Sequence, residues 1–174
     1  MRSLSRVVWL IVLGMIVLFI DFVSKAYVYY LIPLNESYGT YPYGGIGVFR
    51  DFFGIDFAIS LTINKGAAWG LFADFQLLLL LIRILTIIGM LGYLFFMAPS
   101  RKYDLPFVLI ISGALGNVID FFSYGFVIDF FHFTFWGHHF AVFNVADAAI
   151  TLGIVLLILS AFFQKVSQAR RGST

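Results

Sequence analysis

The stretch "FNVADAAITLGIVLLILSAFF", residues 143–163, places an amide and a carboxylate at the start of a long apolar run. Thirteen uncharged and almost wholly apolar residues, 151–163, follow this polar start. Such a run suits the hydrocarbon of a bilayer, whereas a carboxylate there costs about 2.5–3.5 kcal/mol. We therefore expect Asn144 and Asp147 to have a specific structural or chemical role.

The composition is that of a membrane protein. Of the 174 residues, 61% are hydrophobic and 11% are charged, whereas about 25% of a soluble domain is charged. The small net charge of +2 argues against a nucleic-acid partner, and the absence of cysteine excludes disulfides and cysteine-bearing zinc sites. Without internal repeats or linkers, the chain is predicted to form one domain, 1–174. Four stretches can span a bilayer: residues 7–30, 75–97, 105–122 and 146–163.

The positions of lysine and arginine predict the topology. Seven of them flank the span ends that share one side of the membrane, and three lie at or beyond the other face. The positive-inside rule then puts both termini in the cytoplasm and the segments 31–74 and 123–145 outside. The first span follows arginines, as a signal peptide would, but its apolar start leads to Asp21 and Lys25 and to no A-x-A cleavage site. We interpret it as a retained helix.

The outer segments predict a small sheet. Residues 55–64, "IDFAISLTIN", alternate apolar and polar side chains, which indicates a strand with one face packed or facing lipid. Residues 38–49, "YGTYPYGGIGVF", combine turn formers with tyrosines suited to the headgroup level. The segment 123–145 is short and aromatic, so it should stay near the membrane surface. The predicted fold is an all-α membrane protein with four transmembrane helices and a small β-sheet on the outer membrane face.

The predicted depths of several polar residues in the membrane place them in one layer. At about 1.5 Å rise per residue, Asp21 and Lys25 lie roughly 21 and 27 Å from the start of the first span, in a core about 30 Å thick. The third span should end, and the fourth begin, at the same outer level. The layer contains four carboxylates and two amides: Asp21, Asp120, Asp129, Asp147, Asn117 and Asn144.

Each of these residues also has a plain structural interpretation. Asp21 and Lys25, at i and i+4, can form an ion pair on one helix face. Asn144 can be a helix N-cap, with Asp147 a first-turn acid that the helix dipole favours. Asp129 can be a solvated loop residue. Their coincidence at one depth, on three helices and a connecting loop, favours a functional site.

Five short motifs are spread along the chain: "DFVSK" (21–25), "NKGAAWG" (64–70), "SGALGNVID" (112–120), "VIDFF" (127–131) and "FNVADAAI" (143–150). They resemble, in the same order, those of the lipoprotein signal peptidases (signal peptidase II). Any one of them is weak, but five in order within a four-span protein are specific, and the resemblance covers most of the chain.

The resemblance implies an aspartic endopeptidase of the bacterial inner membrane. It would remove signal peptides from prolipoproteins by cutting before the diacylglyceryl-modified cysteine, near the periplasmic face. Asp129 and Asp147 would be the catalytic pair, with no metal and no cofactor. We expect a monomer whose partners are membrane lipid and its lipid-modified substrates. The substrate-binding or supporting positions implied are Asp21, Lys25, Asn64, Gly66, Asn117, Asp120 and Asn144.

Two close carboxylates would share one proton and titrate as a unit. One can accept a proton from water while the other hydrogen-bonds the scissile carbonyl; the sequence leaves open which does which. One departure concerns Phe121, where the family usually has arginine. Arg83 or His132 could replace that cation, although a snorkelling or packing role is the simpler interpretation of Arg83. The histidines are expected in a wet, aromatic outer loop.

Other functions find less support in the sequence. A zinc peptidase would need a motif such as H-E-x-x-H, which is absent. There is no G-x-S-x-G, and Ser24 and Lys25 point about 100° apart on a helix. A small ion-coupled transporter or proton-conducting subunit would also keep carboxylates in its spans. It would place them near the midplane, whereas here they collect at one face.

Overall fold

The computed structural model describes residues 4–32, 45–67, 69, 71–97 and 100–171. Short 3-10 turns at Ala73–Phe75 and Arg101–Tyr103 precede the second and third helices. The elements in chain order are α1 (Leu4–Leu31), β1 (Ile46–Phe52), β2 (Ile55–Asn64), α2 (Gln76–Phe96), α3 (Asp104–Tyr124), β3 (Val127–Phe135), β4 (His138–His139) and α4 (Val145–Arg171).

All four helices are long and apolar enough to cross a membrane, which confirms the four predicted spans. α3 is the central helix and packs against α1, α2 and α4. Within its apolar span 67% of the residues are buried, compared with 11%, 11% and 17% for the other three. These three helices expose larger apolar surfaces than a water-soluble protein normally does, so the surfaces suit a lipid environment. The helix α4 continues to Arg171, eight residues beyond the predicted end at 163.

Glycines allow α3 and α4 to approach closely. A Cβ added at Gly113 would collide with the carbonyl oxygen of Ala146, and one at Gly153 would lie 2.8 Å from the carbonyl oxygen of Pro106. Both contacts are with backbone atoms that cannot turn aside. The two helices therefore meet backbone to backbone, as small residues permit between membrane helices.

The four strands form one antiparallel sheet in the order β1-β2-β3-β4. A cluster of buried apolar side chains attaches this sheet to the end of α1, which we call the sheet end of the bundle. α3 ends, and α2 and α4 begin, at the same end; Gln76 of α2 donates to the carbonyl oxygen of Gly125, just after α3, at 2.6 Å. The cluster consists of Val28, Ile32, Leu61, Ile128 and Phe130.

The strand predicted over residues 55–64 is confirmed with the same limits. A simple amphipathic strand would expose its polar face. Here Ala58 and Ser60, on the predicted polar face, are fully buried. On the other face Phe57 is half-buried and stacks on Phe133, with ring centroids 4.4 Å apart. A register shift between Ile59 and Thr62 interrupts the alternation.

The β content exceeds the prediction. The segment 123–145 was expected to be a short aromatic loop, but residues 127–135 form the strand β3 and pair with β2 along most of its length. The sheet is therefore larger than predicted, because two outer segments that lie far apart in sequence build it together. The tyrosines at positions 38–43, assigned to the headgroup level, lie outside the described residues.

Ion pairs tie α1 to α3 at both ends of the bundle. At the end opposite the sheet, Arg6 Nε and Nη2 donate to Asp104 Oδ2 and Oδ1 at 2.5 and 2.6 Å. At the sheet end, Lys25 Nζ lies 2.8 Å from Asp120 Oδ2. The helix register of α1 against α3 is thus fixed at two points along its length.

Candidate active site

Asp129 and Asp147 line the same cavity, which has a volume of about 650 Å³. Asp129 lies in the first half of β3 and is only 1% exposed, so its interpretation as a solvated loop residue is wrong. Asp147 is the third residue of α4. The carboxyl groups come from a strand and from a helix N-terminus, two elements that hold their backbones rigidly.

The first turn of α4 is a reciprocal capping box. The backbone N–H of Asp147 donates to Asn144 Oδ1 at 2.8 Å, and the backbone N–H of Asn144 donates to Asp147 Oδ2 at 3.3 Å. The predicted N-cap and first-turn roles are therefore confirmed. They leave the Asn144 amide nitrogen and the second oxygen of Asp147 for other partners.

The side-chain amide of Asn144 joins the two aspartates. Its Nδ2 donates to Asp129 Oδ1 at 2.7 Å, and also lies 3.2 Å from Asn117 Oδ1 and from the carbonyl oxygen of Ile128. Asn117 in turn donates from Nδ2 to Asp147 Oδ1 at 2.8 Å. Asn144 and Asn117 thus form a bridge of amides between the carboxyl groups and fix their relative orientation.

Asn64 and Gly66 support Asp129 from the other side. Asn64 ends β2, and its Nδ2 donates to Asp129 Oδ2 at 2.8 Å. The backbone N–H of Gly66 donates to Asn64 Oδ1 at 2.8 Å, which fixes the amide so that its nitrogen faces the carboxylate. Both residues were predicted as supporting positions, and the structure brings both to the site.

Lys25 connects the site to α1. Its Nζ lies 2.7 Å from Asp21 Oδ2, 2.8 Å from Asp120 Oδ2 and 3.0 Å from Asn117 Oδ1. The predicted pair with Asp21 is confirmed but is part of a larger, fully buried cluster. Because Lys25 holds the oxygen of Asn117, the nitrogen of that amide must point at Asp147.

The carboxylates of Asp21 and Asp120 bind the backbone beside each aspartate of the pair. Asp21 Oδ1 accepts the N–H of Ala146 at 2.8 Å, and Asp120 Oδ2 accepts the N–H of Ile128 at 3.2 Å. Ala146 directly precedes Asp147, and Ile128 directly precedes Asp129. Asp21 and Asp120 therefore position the backbone segments that carry Asp147 and Asp129, respectively.

The environment of Asp129 favours its protonated form. Burial, and after it the charge of Asp147, raise the pKa of Asp129 from 3.8 to about 7. Hydrogen bonds from Asn64 and Asn144 and the charge of Lys25 act in the opposite direction without cancelling these effects. Near neutral pH Asp129 can therefore hold a proton, as a hydrogen-bond donor in acid–base chemistry requires.

The cavity has mainly apolar walls and reaches down α4. A second recess of about 430 Å³ adjoins it and shares Asp129, Asn64, Trp69 and Phe140 with it. Asp129 therefore stands where the two meet. The rings of Trp69 and Phe140 lie edge to face, with centroids 5.9 Å apart. The α4 residues on the wall of the larger cavity are Asp147, Ala148, Ile150, Thr151, Leu152 and Val155.

The cation candidates have separate positions. Arg83 lines the larger cavity, and its Nη2 lies 3.4 Å from the carbonyl oxygen of Gly66. His132 is buried on β3, not in a wet loop, and its Nε2 lies 3.2 Å from Nδ1 of His139. Phe121 packs edge to face on Phe122 and is not among the described residues that line either cavity. Within the described ranges, no cluster of three or more His, Cys, Asp or Glu could hold a metal ion.

Of the two residues that sequence reasoning offered as a replacement cation, Arg83 lines the cavity. The contributions of Trp69 and Phe140 to the cavity were missed. The position of Trp69 within the motif 64–70 was the available signal for it, whereas Phe140 carried none, because aromatic residues are common in the segment 123–145.

The structure thus brings two carboxyl groups, bridged by amides, to one cavity of a four-helix membrane protein, and two carboxyl groups that share a site are typical of aspartic peptidases. The family described as Signal peptidase (SPase) II matches residues 13–163. The chain belongs to this family, and with it to the aspartic peptidases.

Individual relatives agree with this assignment. The chain is 42% identical over 109 residues to a lipoprotein signal peptidase of Chlamydia pneumoniae, covering 62% of this chain and 65% of that relative. A lipoprotein signal peptidase of Clostridium tetani is 38% identical, with 86% and 88% covered. One from Chlamydia trachomatis is 35% identical, with 96% of both covered. A solved bacterial membrane enzyme superposes with a TM-score of 0.73 at 25% identity, covering 90% of this chain and 88% of that one.

Proposed function

We propose that this protein removes signal peptides from prolipoproteins by hydrolysing the peptide bond before a diacylglyceryl-modified cysteine, with Asp129 and Asp147 as the catalytic pair. The observation that carries the proposal is the amide bridge, because Asn144 and Asn117 contact both carboxyl groups inside one cavity. A transporter would have no need for two carboxyl groups held rigidly at one end of the bundle. The family relationship favours the peptidase as well.

The pair divides the chemistry according to its environment. Asp147 accepts a proton from the attacking water, whose oxygen adds to the carbonyl carbon of the scissile bond. Asp129, protonated near neutral pH, donates a hydrogen bond to the carbonyl oxygen as negative charge develops on it. Asp147 then passes its proton to the leaving nitrogen and the C–N bond breaks. Both carboxyl groups return to their starting protonation states.

The two recesses accommodate the two parts of the substrate. The larger cavity runs along the apolar wall of α4, which suits the acyl chains and the signal peptide. The smaller recess is bounded by the end of β2 and residues 139–142, and suits the chain that follows the cysteine. Asp129 at their junction then lies beside the scissile bond.

The membrane arrangement is also part of the proposal. The lysine and arginine asymmetry supports cytoplasmic termini, with the sheet end and the active site at the periplasmic face of the inner membrane. Exposed apolar residues of the β1–β2 hairpin, such as Phe52 and Phe53, suit contact with the outer leaflet. Both carboxyl groups and their supports come from one chain, so a monomer suffices.

Cysteine labelling tests this orientation. Ser100 and His138 are exposed residues at opposite ends of the bundle, and the natural chain has no cysteine. An impermeant thiol reagent applied from the periplasmic side should label His138→Cys and not Ser100→Cys. Labelling of both from the same side would reject the four-span topology.

Replacement of the pair tests the proposed activity. With a diacylglyceryl-prolipoprotein as substrate, Asp129→Asn and Asp147→Asn should each abolish cleavage while leaving helix content and substrate binding intact. The double variant should be hardly worse than either single one, because the two act as a unit. Asp120→Asn should lose less, since Asp120 acts through the backbone. Near-normal turnover by Asp129→Asn with a dead Asp120→Asn would reassign the pair to Asp120 and Asp147.

A further inference from the structure

Arg83 occupies an unfavourable position unless it has a ligand. It lies seven residues after the start of α2, about 10 Å along the helix, in a span of which only 11% is buried. An arginine at the centre of a membrane helix costs about 2.5–3.5 kcal/mol on insertion scales. Leu81 and Leu85 of the same helix are exposed, whereas Leu80 is buried and Arg83 is half-buried.

The guanidinium lies inside the reaction cavity. Arg83 is the one cationic side chain among the described residues that line it, together with Asp129 and Asp147. Its hydrogen bond within the described chain, from Nη2 to the carbonyl oxygen of Gly66, is long at 3.4 Å. None of the salt bridges between described residues includes Arg83. A guanidinium has five N–H donors, so most of its hydrogen-bonding capacity is available to a bound molecule.

The proposed substrate offers this group neutral oxygen atoms. A peptide must be extended beside its scissile bond for the carboxyl groups to reach it, so its carbonyl groups there lack helical partners. The diacylglyceryl group adds two ester carbonyls and carries no phosphate. Carbonyl oxygens without donors in an apolar cavity are costly, and a planar guanidinium can satisfy more than one at once.

We propose that Arg83 is a substrate-binding residue, whose guanidinium donates hydrogen bonds to carbonyl oxygens of the substrate held in the larger cavity. The inference rests on the proposed function and adds a binding role for a residue of α2. Peptide carbonyls before the cysteine and ester carbonyls of its lipid share this chemistry. Replacement of the diacyl substrate by its dialkyl ether analogue removes the ester carbonyls alone and separates the two sources.

Kinetics of three purified variants test the inference. Arg83→Gln should lower kcat/KM for a diacylglyceryl-prolipoprotein by about 10- to 100-fold, the effect of losing charged hydrogen bonds to a carbonyl. Arg83→Lys should recover part of this loss, because an ammonium keeps the charge without the planar fork. Arg50→Gln, which removes an exposed arginine of β1, should match the wild type. If ester carbonyls are the ligand, the ether substrate should be cleaved equally by wild type and Arg83→Gln; if peptide carbonyls are, the difference should persist.

A purely structural role makes a different prediction. If Arg83 only held Gly66, and through it Asn64, its removal would disturb the hydrogen bond to Asp129 and shift the pH dependence of cleavage. Binding to substrate instead changes kcat/KM at every pH and leaves that dependence in place. A shifted pH profile, or wild-type kcat/KM in Arg83→Gln, would overturn the inference. Neither outcome touches the proposed function, which fails only if Asp129→Asn and Asp147→Asn remain active.

Discussion

The two ends of the helix bundle use ion pairs in different ways. At the end opposite the sheet, Arg6 donates two hydrogen bonds, from Nε and Nη2, to the carboxylate of Asp104. At the sheet end, Lys25 alone contacts two carboxylates, and two more lie behind a layer of amides. The first arrangement balances its charges and serves as a clamp. The second arrangement has more carboxyl groups than directly bonded cations. This surplus favours the retention of a proton on one of the carboxyl groups.

Removal of each cation should produce the largest contrast. Lys25→Met leaves two buried carboxylates without their partner and should destabilise the fold by about 3–5 kcal/mol, with loss of cleavage. Arg6→Met removes a less deeply buried cation but leaves the buried carboxylate of Asp104 without it, and should cost about 1–3 kcal/mol, with activity retained. Thermal unfolding in detergent and a cleavage assay measure both. Equal effects would show that the two ends are equivalent after all.

A glycine beside Asp21 gives a second contrast. A Cβ at Gly116 would lie 2.5 Å from Asp21 Oδ2, so Gly116→Ala should push that carboxylate away from Ala146 and Lys25. We expect a loss of about 1–3 kcal/mol and a clear fall in activity. Gly92→Ala is the matched control, because nothing lies within 4 Å of its added Cβ. Replacing that helical glycine should be neutral or slightly stabilising.

The surplus of carboxyl groups predicts a pH dependence. Because the pKa of Asp129 is raised to about 7, cleavage should fall as pH rises through that value and the proton is lost. The proton also stabilises the fold fully below the ordinary pKa of an aspartate, about 4, and this contribution disappears as pH rises through about 7. Arg6→Met, at the far end, should leave the profile of kcat/KM against pH unchanged.

Asn64→Ala sharpens the same prediction. It removes a donor that favours the ionised form of Asp129, so the pKa of Asp129 should rise further. The alkaline limb of the profile should then move to higher pH. A shift to lower pH would mean that Asp129 is not the group that loses the proton.

The smallest effect is expected at Phe121. Phe121→Arg restores the residue that the family usually has there, and Phe121 is half-buried outside the described linings of both cavities. We expect stability within about 0.5 kcal/mol of the wild type and activity equal to it or higher. A large loss of cleavage with intact folding would show that this chain does without the family's usual cation in its own way.

Local patterns in the sequence were enough to predict the spans, the strand 55–64 and the polar layer. Hydropathy and the rise per residue determine all three, because each depends on one segment at a time. Pairing of β2 with β3 was missed, since alternation in residues 127–135 is confined to the short stretch 131–135 and the partner strand lies more than 60 positions away. The hydrogen bonds from the N–H of Ala146 to Asp21 and from the N–H of Ile128 to Asp120 could not be predicted either. They depend on how α1, α3 and α4 meet, which no single segment specifies.

The bond between Asp21 and the N–H of Ala146 spans 125 positions of the chain, and it has a consequence for biosynthesis. A ribosome delivers α1, α2, α3 and the sheet before α4, so Asp129 is made well ahead of Asp147. Until α4 enters the bilayer and its first turn docks on Asp21, the second carboxylate is missing. If Asp129 and Asp147 form the catalytic pair, a nascent or partly inserted chain cannot cut the membrane proteins that emerge around it, and hydrolysis begins only when assembly is complete.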